Sequence, residues 1–320
     1  MSDVAVIEVN NLTKVYAEQK ALNGISFTVS EGEFFTILGP NGAGKTTLIK
    51  ILTGQLKSSD GKASVMGTNI NQLLKSDVKY KISYIPQEQL IWEDLTVAEN
   101  LTLMGKLYGL KGKELSEKVN RLIEDFELKG HEKKLAIKLS GGMKRKLSIA
   151  MALMNDPLLL FLDEPTTGLD VHARTLLIED LKRLKESGTT LILTTHLMEE
   201  AEALSTRVLI LNHGEVIAIG NPDELIEQYV GKKILQVGLL KASDEFEEFL
   251  NKSKERYSIE DYIRIKDTFF IKGANLHALM GDILQNPELM DDILEIYIKN
   301  STMKETFLFL TRELMDNNQR

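Results

Sequence analysis

The sequence predicts an α/β fold with a mostly parallel sheet covered on both faces, followed by a smaller α+β domain. Three observations predict it. Apolar runs of strand length, Phe34 to Leu38, Leu158 to Leu162 and Thr189 to Thr194, recur between segments of helical period. Strands that alternate with helices need crossover connections, which make the sheet parallel and bury both of its faces. Near Val230-Gly231 the alternation stops, and residues 232–320 read strand, helix, two strands, helix, strand, helix.

Val4 to Val9 and Gly24 to Val29 alternate as strands around a polar stretch that holds Tyr16, predicting an N-terminal antiparallel β subdomain. Phe34 to Leu38 reads as a buried strand, and a helix starts at Thr47. Residues 60–85 carry short strands and turns at Asp60-Gly61 and Met66-Gly67, ending in Ile82 to Ile85. From Thr96 to Leu153 the pattern is mostly helical: Thr96 and Glu99 form a capping box, and Leu115, Val119, Leu122, Ile123 and Phe126 share one helix face. Alternation then resumes with Leu158 to Leu162, Arg174 to Glu186, Thr189 to Thr194, Met198 to Leu204 and Val208 to Asn212. The expected domains are residues 1–230, with a helical subdomain at about 88–155, and an accessory α+β domain at 231–320 of ferredoxin-like type. In the latter the helices are expected at Ser243 to Lys254, Leu276 to Leu284 and Met303 to Met315.

The net charge of -8 argues against nucleic acid as the main partner, and the absence of cysteine excludes disulfides and thiolate metal sites. Residues 1–10 alternate as a strand without a basic-then-apolar leader, so no signal peptide is expected. No apolar run approaches the ~20 residues of a membrane span, so any work at a membrane needs spans from another chain.

Gly39-Pro40-Asn41-Gly42-Ala43-Gly44-Lys45-Thr46 fills every fixed position of the P-loop pattern, between a strand and a helix. Gly42 and Gly44 permit left-handed backbone, which turns N–H groups inward as a nest for phosphate oxygens backed by a helix N-terminus. Lys45 is expected to reach the β- and γ-phosphates, and the Thr46 hydroxyl to hold Mg²⁺. Leu158 to Leu162 ends in Asp163-Glu164-Pro165; Asp163 suits Mg²⁺, and Glu164 suits polarising the attacking water. Leu139-Ser140-Gly141-Gly142-Met143-Lys144-Arg145 opens a further helix, where Ser140 reads either as an N-cap or as part of an anion site.

Together, these three motifs in this order resemble ATP-binding cassette (ABC) ATPases, with Met143 where the usual signature has glutamine. The resemblance covers roughly residues 4–225, and the Leu-Ser-Gly-Gly-Met-Lys-Arg variant is frequent in exporter-type cassettes resembling drug- and sodium-efflux ATPases. It implies a P-loop NTPase cassette fold and ATP with Mg²⁺ as cofactors. It also implies that Tyr16 stacks on adenine, that Gln87 senses Mg²⁺ and water and links to a membrane partner, and that Thr167-Gly168-Leu169-Asp170 is the D-loop. His196 matches the switch histidine that contacts the γ-phosphate. In the family a head-to-tail dimer completes each site, so ATP is expected between Gly39–Thr47 of one subunit and Ser140, Gly141 and Gly142 of its partner.

The resemblance further implies membrane-spanning permease partners, a homodimer or heterodimer of cassettes, and a place on the cytoplasmic face of the membrane. The coupling surface is expected near Gln87 to Thr96, with Trp92 a candidate. The alternative is a soluble non-transport ABC ATPase that acts on a macromolecule. Against it stand the single P-loop and the lack of sustained heptads between Lys45 and Ser140.

Overall fold

The computed structural model of the chain describes residues 5–88, 90–241 and 244–317. Val4 and Ser243, which the sequence places at element starts, lie outside the described residues. The chain divides into two compact units, Met1–Ile219 and Gly220–Arg320.

The first unit opens with β1 (Ala5–Tyr16) and β2 (Gln19–Ser30), each longer than the alternation in sequence suggests because both bend through register shifts. With β4 (Asp60–Val65) and β5 (Thr68–Asn69) they form an antiparallel sheet in the order β2-β1-β4-β5. The second sheet holds β3 (Phe34–Leu38), β6 (Ile82–Ile85), β7 (Leu159–Asp163), β8 (Thr190–Thr195), β9 (Arg207–Asn212) and β10 (Glu215–Gly220). Its order is β10-β9-β3-β8-β7-β6, and the pairs β6–β7, β7–β8, β8–β3 and β3–β9 are parallel. A two-residue turn, His213-Gly214, folds β10 back on β9.

Every residue of β3, β7 and β8 is buried, because the sheet is covered on both sides. The period of two then sends neighbours to opposite cores. Phe35, Ile37, Leu159 and Phe161 pack with α1 (Lys45–Leu52) and the N-terminal sheet. Phe34, Leu160 and Leu162 pack with α2 (Val97–Leu107), α3 (Gly112–Asp125), α4 (Gly141–Ala152) and α5 (Val171–Glu186). The capping box of α2 forms as expected: the Thr96 N–H donates to Glu99 Oε2 at 2.8 Å, and the Glu99 N–H to Thr96 Oγ1 at 3.2 Å. Helix α6 (Met198–Leu204) follows β8.

The second unit starts with α7 (Pro222–Tyr229) and continues with β11 (Lys233–Leu239), α8 (Asp244–Tyr257), β12 (Ile259–Ile265) and β13 (Thr268–Gly273). It ends with α9 (Leu276–Gln285), α10 (Pro287–Met290), β14 (Ile293–Asn300) and α11 (Met303–Asn317). The sheet runs β12-β13-β11-β14 with all neighbours antiparallel, which is the split-βαβ, ferredoxin-like arrangement. Leu235 and Val237 face Phe246, Leu250, Leu279 and Ile283 from the helices on one side. Ile234 and Phe270 face Tyr229, Val230 and Phe309 on the other.

Candidate active site

The carboxyl ends of the parallel strands gather the polar motifs, as open α/β sheets dispose them. The loop after β3 carries Gly39 to Gly44, the loop after β6 carries Gln87, β7 ends at Asp163, and His196 follows β8. A cleft of about 550 Å³ is lined by Asn41, Gly42, Gly44–Thr47, Gln87, Glu164, Thr167 and His196, with Ala21 at its side.

Backbone geometry explains the glycines. Gly44 is the N-cap of α1 with φ +106°, and a Cβ there would meet the Ala21 carbonyl oxygen at 2.4 Å. Gly42 has φ +83° with open space around it, so its requirement is conformational alone. Lys45 is 4% exposed and donates to the carbonyl oxygens of Gly39 at 2.8 Å and Pro40 at 3.0 Å. Its Nζ also lies 3.1 Å from Glu164 Oε1.

Glu164 is a left-handed non-glycine residue, φ +44°, which costs roughly 1–3 kcal/mol and turns its side chain over the cleft. Its N–H donates to both the carbonyl oxygen and Oγ1 of Thr194, each at 3.1 Å, which pins the turn. Thr167 Oγ1 donates to Glu164 Oε2 at 3.1 Å, and His196 Nδ1 stands 3.2 Å from the same oxygen. A carboxylate acceptor there selects the tautomer with the proton on Nδ1. Burial works against the ionised form of Glu164, but the Lys45 hydrogen bond and charge, then Thr167 and His196, outweigh it and hold the carboxyl below its ordinary range.

Asp163 is held separately. Thr194 Oγ1 donates to its Oδ1 at 2.5 Å, Thr46 Oγ1 donates to the same oxygen at 3.3 Å, and Tyr84 OH approaches Oδ2 at 3.5 Å. Burial first, and the neighbouring Asp163 second, push the Tyr84 hydroxyl up to about 12. Tyr84 therefore stays a donor at any physiological pH. Arg145, 2% exposed, reaches in from α4 and donates to the carbonyl oxygens of Pro86 at 2.8 Å and Asp163 at 3.4 Å. Burial lowers its pKa to about 10 against the opposing pull of Asp163, so the guanidinium remains charged. Glu200 accepts hydrogen bonds from Thr166 and Thr195, tying the loop after Glu164 to the end of β8.

Several expected residues stand elsewhere. Tyr16, at the end of β1, is 46% exposed beneath Lys14 Nζ, 5.0 Å from its ring centroid, and does not line the cleft. Ser140 caps α4, accepting from the Met143 N–H at 3.3 Å, and Asp170 caps α5, accepting from the Ala173 N–H at 2.8 Å. Gly142 is needed for packing, since a Cβ there would meet Ala173 Cβ at 2.9 Å. Sequence reasoning missed Tyr84, Arg145, Thr194 and Glu200. Thr194 sits opposite Asp163 through the parallel β7–β8 register, which no local pattern encodes. Arg145 lies inside Lys144-Arg145-Lys146, which reads as a solvated run until the fold buries it.

The sequence profile of the family described as ABC transporter matches residues 22–167. The Nod factor export ATP-binding protein I of Rhizobium sp. (strain N33) is 42% identical over 237 residues, 74% of this chain and 77% of that protein. Its counterpart in Cupriavidus metallidurans is 39% identical over 233 residues, 73% and 77% of the two chains. The chain belongs to the ABC transporter family, as an ATP-binding subunit. A solved ATP-binding subunit of an ABC transporter superposes with a TM-score of 0.62 at 32% identity, covering 70% of this chain and 93% of that one. A dimeric ATP-binding cassette in a post-hydrolysis state with ADP and Pi gives a TM-score of 0.60 at 28% identity, covering 67% and 98%. This ABC subunit is thus an ATPase with a nucleotide-binding cassette. No helix among the described residues is long and apolar enough to cross a membrane.

Proposed function

We propose that this chain powers export through separate permease subunits from the cytoplasmic face of the membrane. ATP would bind between Gly39–Thr47 of one cassette and Ser140–Gly142 of a second, and hydrolysis would reopen the pair. The observation that carries this reading is the convergence of Lys45, Thr46, Asp163, Glu164 and His196 at one end of the parallel sheet. The export direction rests on the relatives named for export.

The inward N–H groups of the loop and Lys45 neutralise phosphate charge, which is most of what phosphoryl transfer to water demands of a protein. Thr46, Asp163 and the Gln87 carboxamide offer only oxygen donors, a set that suits a hard cation shared with phosphate oxygens. Mg²⁺ held there would supply charge neutralisation between the phosphates. Glu164, kept ionised by its neighbours, accepts a proton from the attacking water. His196, with its Nδ1 proton on Glu164, turns Nε2 toward the γ-phosphate side, where it donates to a phosphate oxygen only when both ring nitrogens carry protons. Tyr16 would reach adenine only from the β1–β2 hairpin, and Asp170 would serve the subunit boundary.

Calorimetric titration with ATP tests the phosphate role. Lys45→Ala is expected to lose affinity at least about tenfold, the size of one charge-assisted contact. Unchanged affinity refutes it.

A further inference from the structure

We propose that β14 is a docking edge for a second copy of this chain, giving a sheet that runs on across two C-terminal units. This interface needs no nucleotide and does not rest on the cassette pairing proposed above.

Strand β14 borders its sheet, pairing only with β11 among the described residues. Its sequence, Ile-Leu-Glu-Ile-Tyr-Ile-Lys-Asn, is rich in β-formers and has no proline. Exposed edges are normally blunted by proline, bulges or covering elements; β14 has one register shift, at Leu294 near its start, and pairs regularly with β11 from Glu295 to Asn300. The opposite edge is covered: β12 packs against α8, where Tyr262 OH donates to Glu247, and against α11, where Arg312 donates to Asp261 and to the Tyr262 carbonyl. On β14, by contrast, Leu294 is 68% and Tyr297 39% exposed.

The strand is complementary to itself in one register. Antiparallel pairing about a two-fold axis at Tyr297 sets Tyr297 against its own counterpart, Ile296 against Ile298 and Glu295 against Lys299. Directly opposite residues share a face, so Ile296 and Ile298 extend the core side that already holds Leu235 and Val237. The tyrosines and the charges occupy the other side. Symmetry makes the Glu295–Lys299 attraction twice, where any like-charge pairing would repel. Lys299 already donates to the buried Glu305 at 2.9 Å, and an ammonium has donors to spare for the second carboxylate.

The chain has no cysteine, so introduced cysteines report the register without background. Nucleotide-free, full-length Tyr297→Cys, oxidised by air with a copper catalyst, should form a covalent dimer. Residues opposite each other lie ~4.5–5.5 Å apart at Cα, within the ~4.4–6.8 Å range of disulfides. Leu294→Cys should yield at least about tenfold less, since its symmetry mate sits six positions along the strand, roughly 20 Å away. Sedimentation velocity of the unaltered chain without nucleotide should show a dimer that Tyr297→Lys dissociates, with circular dichroism unchanged. Failure of Tyr297→Cys to cross-link, equal cross-linking of Leu294→Cys, or a monomer at every concentration overturns the proposal.

Discussion

Glutamine in place of Glu164 tests the hydrolytic site most directly, because the geometry separates its effect on chemistry from its effect on the fold. The side chain keeps its volume, so no cavity opens, and glutamine tolerates φ +44° as well as glutamate does. The oxygen facing Lys45 survives as an amide oxygen, and Lys45 keeps the Gly39 and Pro40 carbonyls. The other oxygen becomes a donor. The Thr167 hydroxyl must then turn to accept, and His196 must move its proton from Nδ1 to Nε2. One charge-assisted contact is lost, about 1–3 kcal/mol. That lowers the Tm of a unit this size by a few degrees, at about 2–4 °C per kcal/mol. Turnover suffers more, since a positioned general base contributes roughly 10²–10⁴-fold, or about 2.7–5.4 kcal/mol of barrier. Phosphate release at saturating Mg-ATP should therefore fall at least a hundredfold, about the lower bound for such a group. ATP affinity by calorimetry should hold, and size-exclusion chromatography with Mg-ATP should show an accumulated dimer. Turnover within tenfold of the parent, a loss of about 1.4 kcal/mol or less, would refute the role of Glu164.

Three further outcomes follow from the same contacts. Since the folded-state pKa of Glu164 is depressed, its contribution to stability is complete above the ordinary carboxylate value of 4.5 and vanishes as pH falls through the folded value. The Tm gap between the parent and Glu164→Gln, measured by calorimetry, should accordingly close on acidification below about 4.5; a gap independent of pH contradicts the Lys45 pairing. Thr194→Val removes the 2.5 Å donor to Asp163 and one of two acceptors for the Glu164 N–H, so it should cost about 1–3 kcal/mol in denaturant unfolding and raise the Mg²⁺ needed for half-maximal ATPase rate. Arg145→Lys replaces a planar fork that serves two carbonyls with one ammonium, so both Tm and turnover should drop, and an unaltered rate would mean the fork only fills space.

What the sequence made legible was whatever is written in consecutive residues. The glycine loop, the acidic strand end and the capping box of α2 each occupy one short segment, and local backbone preferences fix their shapes. The split-βαβ unit was legible as well, because the order of its elements follows from hydrophobic period alone. Contacts made by strand register were not legible. Thr194 meets Asp163 only because β8 lies beside β7, and Tyr84 joins them only because β6 borders β7 on the other side. Buried charge was hidden for a different reason: Arg145 and Lys146 look like the exposed face of a basic helix, and only the packing of α4 against β6 and α5 puts them inside. Tyr16 sits at the end of β1 with Lys14 Nζ over its ring, a contact no local pattern encodes.

Arg145 joins parts that the motifs describe one at a time. Ser140 begins α4, and Arg145 stands just over one turn further along it. Its two donors end on Pro86, the residue before Gln87, and on the carbonyl of Asp163, the residue before Glu164. A shift of α4 along its axis would therefore pull on both loops through a buried guanidinium whose Nε has no hydrogen-bond partner among the described residues. Water cannot easily take over those bonds at 2% exposure. The helix that a second cassette would contact at Ser140 is thus linked by hydrogen bonds to the loops of Gln87 and Glu164, which on the proposed function would hold Mg²⁺ and the attacking water. If a second cassette closes on Ser140, these bonds would carry its displacement to both loops, and the rate loss expected of Arg145→Lys measures how stiff that link is.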